Sequence, residues 1–284
     1  MWSNSAWKRP DRGRETNKTN PAEPVLSINL SVDYPQKRGV LREVELAVFP
    51  GEMLGLVGHS GAGKSTLALA ILGLLDHTGA TVSGRTILLG ENLDTRDRRK
   101  MRDLRGRVVS LIPQSPLAAL NPALRIGTQL REAWRAHSHE PWSSQTERIQ
   151  ALLASAGLGH EEDFLNRFPE QISAGQAQRV MIVMALLHRP ALLIADEPTS
   201  ALDLITQREV LDLLARINSD HRMSILFISH DLVAVASFCQ RLAILHEGHI
   251  VECRPVGELL ASPAHSYTKQ LLEAVPKWRL DTAL

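Results

Sequence analysis

Gly58-His59-Ser60-Gly61-Ala62-Gly63-Lys64-Ser65 decides how the rest of this chain is read. The run fits GxxxxGK[ST], the phosphate-loop pattern. Its glycines let backbone N–H groups turn inward around an anion, and a helix opening directly after the loop points its positive end at the same place. Lys64 is placed to reach outer phosphates and Ser65 to ligate Mg²⁺, with Thr66 extending the cradle. The pattern is short, so its flanks have to support it. Met53–Val57 is an apolar run bounded by glycines, which suits a buried strand, and residues 64–75 read as a helix rich in Leu and Ala. Strand, glycine loop and helix in that order form the first unit of an α/β domain.

Upstream, residues 26–34 alternate. Leu26, Ile28, Leu30 and Val32 fall on one face, and Ser27, Asn29, Ser31 and Asp33 on the other, which predicts a half-buried strand. Val44, Leu46 and Val48 repeat the pattern before the turn signal Pro50-Gly51. Downstream, the helical period dominates residues 126–187. Ser144 and Glu147 have the spacing of a capping box ahead of Ile149, Leu152 and Leu153, and Gly157 is the expected stop. After Pro190 strands alternate with helix again: residues 191–195 and 224–229 are buried-strand runs, and 205–217 is an amphipathic helix. The expected fold class is therefore α/β. A P-loop NTPase core (residues 25–256) carries a short antiparallel β subdomain and an inserted helical subdomain at about 116–187, and residues 257–284 form a helical tail.

Residues 1–24 carry Lys8, Arg9, Arg12, Arg14 and Lys18 with few apolar groups. No apolar core follows them, so they are expected to form a disordered basic arm and not a secretory signal. Lys plus Arg number 32 and Asp plus Glu 31, a formal net charge of +1 that gives no reason to expect nucleic acid as a partner. Hydrophobic residues make up 44% of the 284, enough for a large core, yet no run reaches the roughly 18–20 apolar residues of a membrane span. Cys239 and Cys253 show no metal-ligand spacing and are expected to be packed thiols.

Leu192-Leu193-Ile194-Ala195-Asp196-Glu197 puts two acids at the end of an apolar run, where burial is costly unless a cation or proton meets them. Asp196 is placed to hold Mg²⁺, and Glu197 to polarise an attacking water. Ile172-Ser173-Ala174-Gly175-Gln176 resembles the LSGGQ signature of ABC (ATP-binding cassette) ATPases, with Ile172 in place of leucine and Ala174, one methyl larger, in place of the first glycine. In that family the signature contacts ATP held by a partner subunit, so the resemblance implies that Ser173, Gly175 and Gln176 bind nucleotide across a head-to-tail dimer. It further implies Gln114 as the Q-loop glutamine near Mg²⁺, Ser200-Ala201-Leu202-Asp203 as the D-loop, and His230 as the switch histidine on the γ-phosphate. Tyr34 is the candidate for stacking on adenine. His59, inside the loop, is read as tolerated, and the remaining histidines as scattered surface or core residues.

Two stretches narrow the family. Residues 113–122 (PQSPLAALNP) and 263–272 (PAHSYTKQLL) are similar to the Q-loop extension and tail motif of the dipeptide, oligopeptide and nickel importer ATPases. The resemblance covers about residues 26–276 and lacks the cysteine-rich tail that holds an iron–sulfur cluster in many relatives. It implies an ATPase energising an importer for peptides, nickel or a related small solute from the cytoplasmic face of the inner membrane. ATP and Mg²⁺ would be its ligands. Its partners would be a second, related ATPase, two transmembrane permeases and, indirectly, an extracytoplasmic solute-binding protein. The alternative is an ABC ATPase that powers a soluble complex such as phosphonate degradation; a third possibility is a regulatory subunit with little turnover.

Overall fold

The computed structural model describes residues 23–159, 163–200 and 202–275; most of the expected arm, Ala201 and the end of the tail lie outside them. β1 (Leu26–Tyr34) and β2 (Lys37–Val48) form an antiparallel hairpin with Leu26 opposite Val48 and Leu30 opposite Val44. β3 (Met53–Val57) runs into the glycine loop and α1 (Lys64–Ile71). β4 (Thr81–Leu88) and β5 (Glu91–Leu93) return to the hairpin, completing a four-stranded antiparallel sheet in the order β2-β1-β4-β5. α2 (Arg98–Leu104) and β6 (Val109–Ile112) follow. Next comes a helical insert made of α3 (Pro116–Ala119), α4 (Ile126–Arg135), α5 (Thr146–Ser155) and α6 (Ala174–Leu186). The chain then alternates through β7 (Leu192–Asp196), α7 (Leu204–His221), β8 (Ser224–Ser229), α8 (Leu232–Phe238), β9 (Arg241–His246) and β10 (His249–Pro255). It closes with α9 (Val256–Ala261) and α10 (Ser266–Glu273).

The second sheet has six strands in the order β10-β9-β3-β8-β7-β6, all parallel except the β9–β10 pair. Its inner strands are apolar on both faces because two cores sandwich them. Met53, Leu193, Ala195, Ile225 and Phe227 belong to one core with α6, α7 and the insert. Leu54, Leu56, Leu192, Ile194, Leu226 and Ile228 belong to the other, with α1 and the antiparallel sheet. Each fully buried Leu or Ile contributes roughly 1.5–3 kcal/mol. Period-two alternation between two cores therefore fixes the register of these inner strands. Burial pushes the Cys239 thiol well above its usual range and raises that of the half-buried Cys253 as well.

Two local expectations change. The helix after the loop ends at Ile71, not at residue 75. Gly73 takes φ 60°, Gly73 N–H bonds to Ala70 O, and Leu74 N–H reaches back to Leu69 O, a Schellman stop. The Ser144/Glu147 capping box does not form. α5 starts at Thr146, and the Ser144 hydroxyl is spent on Pro141 O in the preceding turn. Gly157, at φ 71°, does follow the end of α5.

Candidate functional site

The parallel register aligns the ends of three neighbouring strands: Val57 lies beside Ser229, and Asp196 beside Ile228. The loops leaving β3, β6, β7 and β8 therefore open on one edge of the sheet, where ligands of doubly wound sheets bind. Residues 58–65 leave β3 there. A Cβ on Gly58 would come within 2.4 Å of Leu245 O, so only glycine lets the loop pass β9 so closely. Gly63, at φ 105°, turns the chain into α1. Ser60, Gly61, Gly63, Lys64, Ser65 and Thr66 line an open cavity of about 370 Å³, facing Gln114, Glu197 and His230.

Lys64 is buried, and its Nζ donates to Gly58 O (2.9 Å) and His59 O (3.1 Å) while lying 3.6 Å from Glu197 Oε1. Glu197 is the hub of the cluster. Its Oε2 accepts from Gln114 Nε2 at 3.0 Å and sits 3.2 Å from His230 Nδ1. Its backbone holds φ 46°, an uncommon value for a non-glycine residue, pinned by Glu197 N–H to Ile228 O at 2.9 Å. Asp196 is buried at the end of β7. Burial and the adjacent Glu197 charge raise its pKa against the opposing pull of a Ser65 hydrogen bond and of Lys64. Among the described residues no group hydrogen-bonds to Asp196 Oδ1. An unpaired buried carboxylate oxygen beside the Ser65 hydroxyl is an oxygen-donor set that suits a small hard cation.

The remaining expected residues fall elsewhere. Tyr34 ends β1, half-buried, with its hydroxyl 3.5 Å from Thr66 Oγ1. Val40 lines the cavity, a residue that sequence reasoning missed because one apolar side chain in a strand carries no chemical signal. Ala62 is packed beneath the loop, and His59 is exposed with Nδ1 2.8 Å from Ser60 O. Ser173, Gly175, Gln176 and Asp203 do not line this cavity. Ser173 and Gln176 form a reciprocal capping box at the start of α6. Asp203 caps α7, accepting from Ile205 N, Thr206 N and Thr206 Oγ1.

A largely parallel sheet with a phosphate loop and an acid pair at its carboxyl edge defines a P-loop nucleotide-binding protein. Comparison with known proteins narrows the class. A model of the ABC transporter family matches residues 41–200. A probable peptide ABC transporter ATP-binding protein of Sinorhizobium fredii is 41% identical over 83% of this chain and 71% of its own length. The peptidoglycan transport ATP-binding protein YejF of Agrobacterium fabrum is 40% identical over 93% of this chain, which spans 48% of that relative's length. Among solved structures, the dimeric ATP-binding cassette MJ0796, in a post-hydrolysis state bound to ADP and Pi, superposes with TM-score 0.70 at 26% identity, over 81% of this chain and 98% of its own. The chain belongs to the ABC transporter family.

Proposed function

We propose that the chain hydrolyses ATP at this cavity and energises a membrane importer for peptides or a related small solute. The observation that carries the proposal is the convergence of Lys64, Gln114, Glu197 and His230 on one cavity lined by the phosphate loop. Peptide cargo is suggested by the probable peptide transporter among the relatives. Backbone N–H groups of the loop cradle the phosphates, and Lys64 neutralises the outer oxygens. Glu197 orients and polarises the attacking water, and His230 holds the γ-phosphate from the far side. Ser65 and Asp196 have the oxygen donors to hold Mg²⁺. Gln114 gives its amide N–H to Glu197 and keeps its carbonyl oxygen for the same cation. When bound, Mg²⁺ would neutralise charge developing on the transferred phosphoryl group.

In this proposal Ser173, Gly175, Gln176 and Asp203 act on the nucleotide of a second, related ATPase in a head-to-tail pair. Leu204 and Ile205, 78% and 76% exposed beside Asp203, suit a surface that such a partner covers. Two permeases dock near Gln114, where Leu117 of α3 is also exposed. No helix of the described residues is long and apolar enough to cross a membrane, so the pore is assigned to those permeases, with this chain on the cytoplasmic face of the inner membrane. ATP binding closes the pair and hydrolysis removes the bias, as in other ligand switches. Glu197→Gln in the reconstituted complex should retain ATP but lose turnover, trapping the closed pair. Undiminished phosphate release would refute the role of Glu197.

A further inference from the structure

The phosphate loop is held from outside by a part of the chain distant in sequence. His59 N–H, at the loop's second position, donates to the Tyr267 hydroxyl of α10 at 3.2 Å. The carbonyl of the same residue accepts from Lys64 Nζ at 3.1 Å. The peptide groups around His59 thus lie between the tail and the lysine that faces the cavity. The tyrosine is in turn fixed. Its ring stacks on His246 at 3.7 Å between centroids and 16° between planes, and His59 meets it edge-on at 6.3 Å. His246 ends β9, one residue beyond the Leu245 carbonyl that Gly58 skirts.

α10 is itself anchored to the sheet. The buried Glu252 of β10 accepts the N–H groups of Ala264 (3.0 Å) and His265 (3.2 Å), and His265 Nδ1 caps α10 by accepting Tyr267 N–H at 3.1 Å. The support runs from β10 through the 263–265 turn to Tyr267, then to His59 and Lys64. A tail hydroxyl that accepts a backbone N–H of the loop is a device for setting the loop's shape. Phosphate-loop affinity depends on several N–H groups sharing one focus, so fixing one peptide of the loop fixes where that focus lies.

We propose that Tyr267 is a positioning residue of the nucleotide site, through which the C-terminal helix sets the affinity of the phosphate loop for ATP. The proposal rests on the cavity being the ATP site. It is tested in the assembled complex by titrating ATP and measuring turnover for wild type, Tyr267→Phe, Tyr267→Ala and Lys64→Ala. Tyr267→Phe keeps the stack on His246 and removes only the hydroxyl. It should raise both Kd and KM for ATP by roughly three- to tenfold, the range of one net hydrogen bond, with a much smaller change in kcat. Tyr267→Ala also loses the stack and should raise KM further. The nucleotide-free melting midpoint of Tyr267→Phe should match wild type, because water can satisfy the exposed His59 N–H. Equal Kd and KM for Tyr267→Phe and wild type, with ATP binding lost in Lys64→Ala, would overturn the role of Tyr267 and leave the ATP site standing. A lowered melting midpoint with no rise in KM would also overturn it, since the tyrosine would then only prop α10. Undiminished ATP binding by Lys64→Ala would remove the ATP site itself.

Discussion

At the scale of single residues, Asp196 and Glu197 sit side by side under different constraints. Glu197 has three polar partners for its carboxylate, Gln114, His230 and Lys64, and its cost lies in the backbone. Asp196 has a regular strand backbone, and its cost lies in a buried charge whose Oδ1 lacks a hydrogen bond among the described residues. Ser65 and Lys64 offset part of that cost, and an incoming cation would recover more of it. Asp196→Asn should therefore melt a few degrees higher than wild type without nucleotide, since a neutral amide is cheaper to bury. The same variant should lose the extra stabilisation that Mg²⁺ adds to ATP in the wild type. Thermal melts with ATP alone and with ATP plus Mg²⁺ separate the two effects. A variant that melts lower without nucleotide, or still responds to Mg²⁺, would contradict this account of the carboxylate. Both acids were legible in the sequence because charge at the end of an apolar run is anomalous. The left-handed backbone of Glu197 was not, because it comes from the Ile228 carbonyl of a neighbouring strand.

At the scale of elements, legibility followed the source of the constraint. β3 and β8 read correctly to the residue because parallel strands buried on both faces are apolar throughout. The end of α1 was misplaced because Leu74 and Leu75 continue the apolar pattern past Gly73. A Cβ at Gly73 would lie 2.4 Å from Thr95 O, a contact no sequence pattern encodes. The tail was legible as a motif, but its anchorage was not, since it depends on one acid of β10. Burial alone would raise the Glu252 pKa, but the backbone N–H groups of Ala264 and His265 and the nearby Arg254 charge help to outweigh it and hold the carboxyl below its ordinary value. The linkage sign follows from that lowered value. The contribution of Glu252 is fully present above the unfolded pKa of about 4.3 and is lost as pH falls through the lower folded value. Melting midpoints of wild type and Glu252→Gln should differ most at neutral pH and converge as the pH drops below about 4. A gap that stays constant across that window would show that the carboxylate charge does not hold the tail.

At the scale of the whole molecule, α6 and α7 form one block. Arg179 of α6 pairs with Glu209 of α7 and donates to Ala156 O at the end of α5. Gly175 lies against the same helix: a Cβ there would come within 2.5 Å of Thr206 Cγ2, and Thr206 Oγ1 donates to Asp203 Oδ2 at 2.7 Å. The departure visible in the sequence is Ala174, yet the position without room is Gly175. Any extra atom at Gly175 pushes Thr206 and, through it, the cap at Asp203. If Ser173 and Asp203 meet the partner's nucleotide together, that push misaligns two contacts at once. Overpacking costs about 1–3 kcal/mol. Where that cost falls on the closed pair, turnover drops roughly five- to a hundredfold. Gly175→Ala should lower ATPase rate in the assembled complex by that amount while the isolated chain binds ATP as before, because the phosphate-loop cavity does not include Gly175. Ala174→Gly should change the rate by at most about fivefold, since its effect is limited to a helix propensity near 1 kcal/mol. Steady-state rates for the two variants, beside ATP titrations of the isolated chains, decide the matter. If Gly175→Ala turns over at the wild-type rate, the contact with Thr206 does not couple the start of α6 to the Asp203 cap of α7.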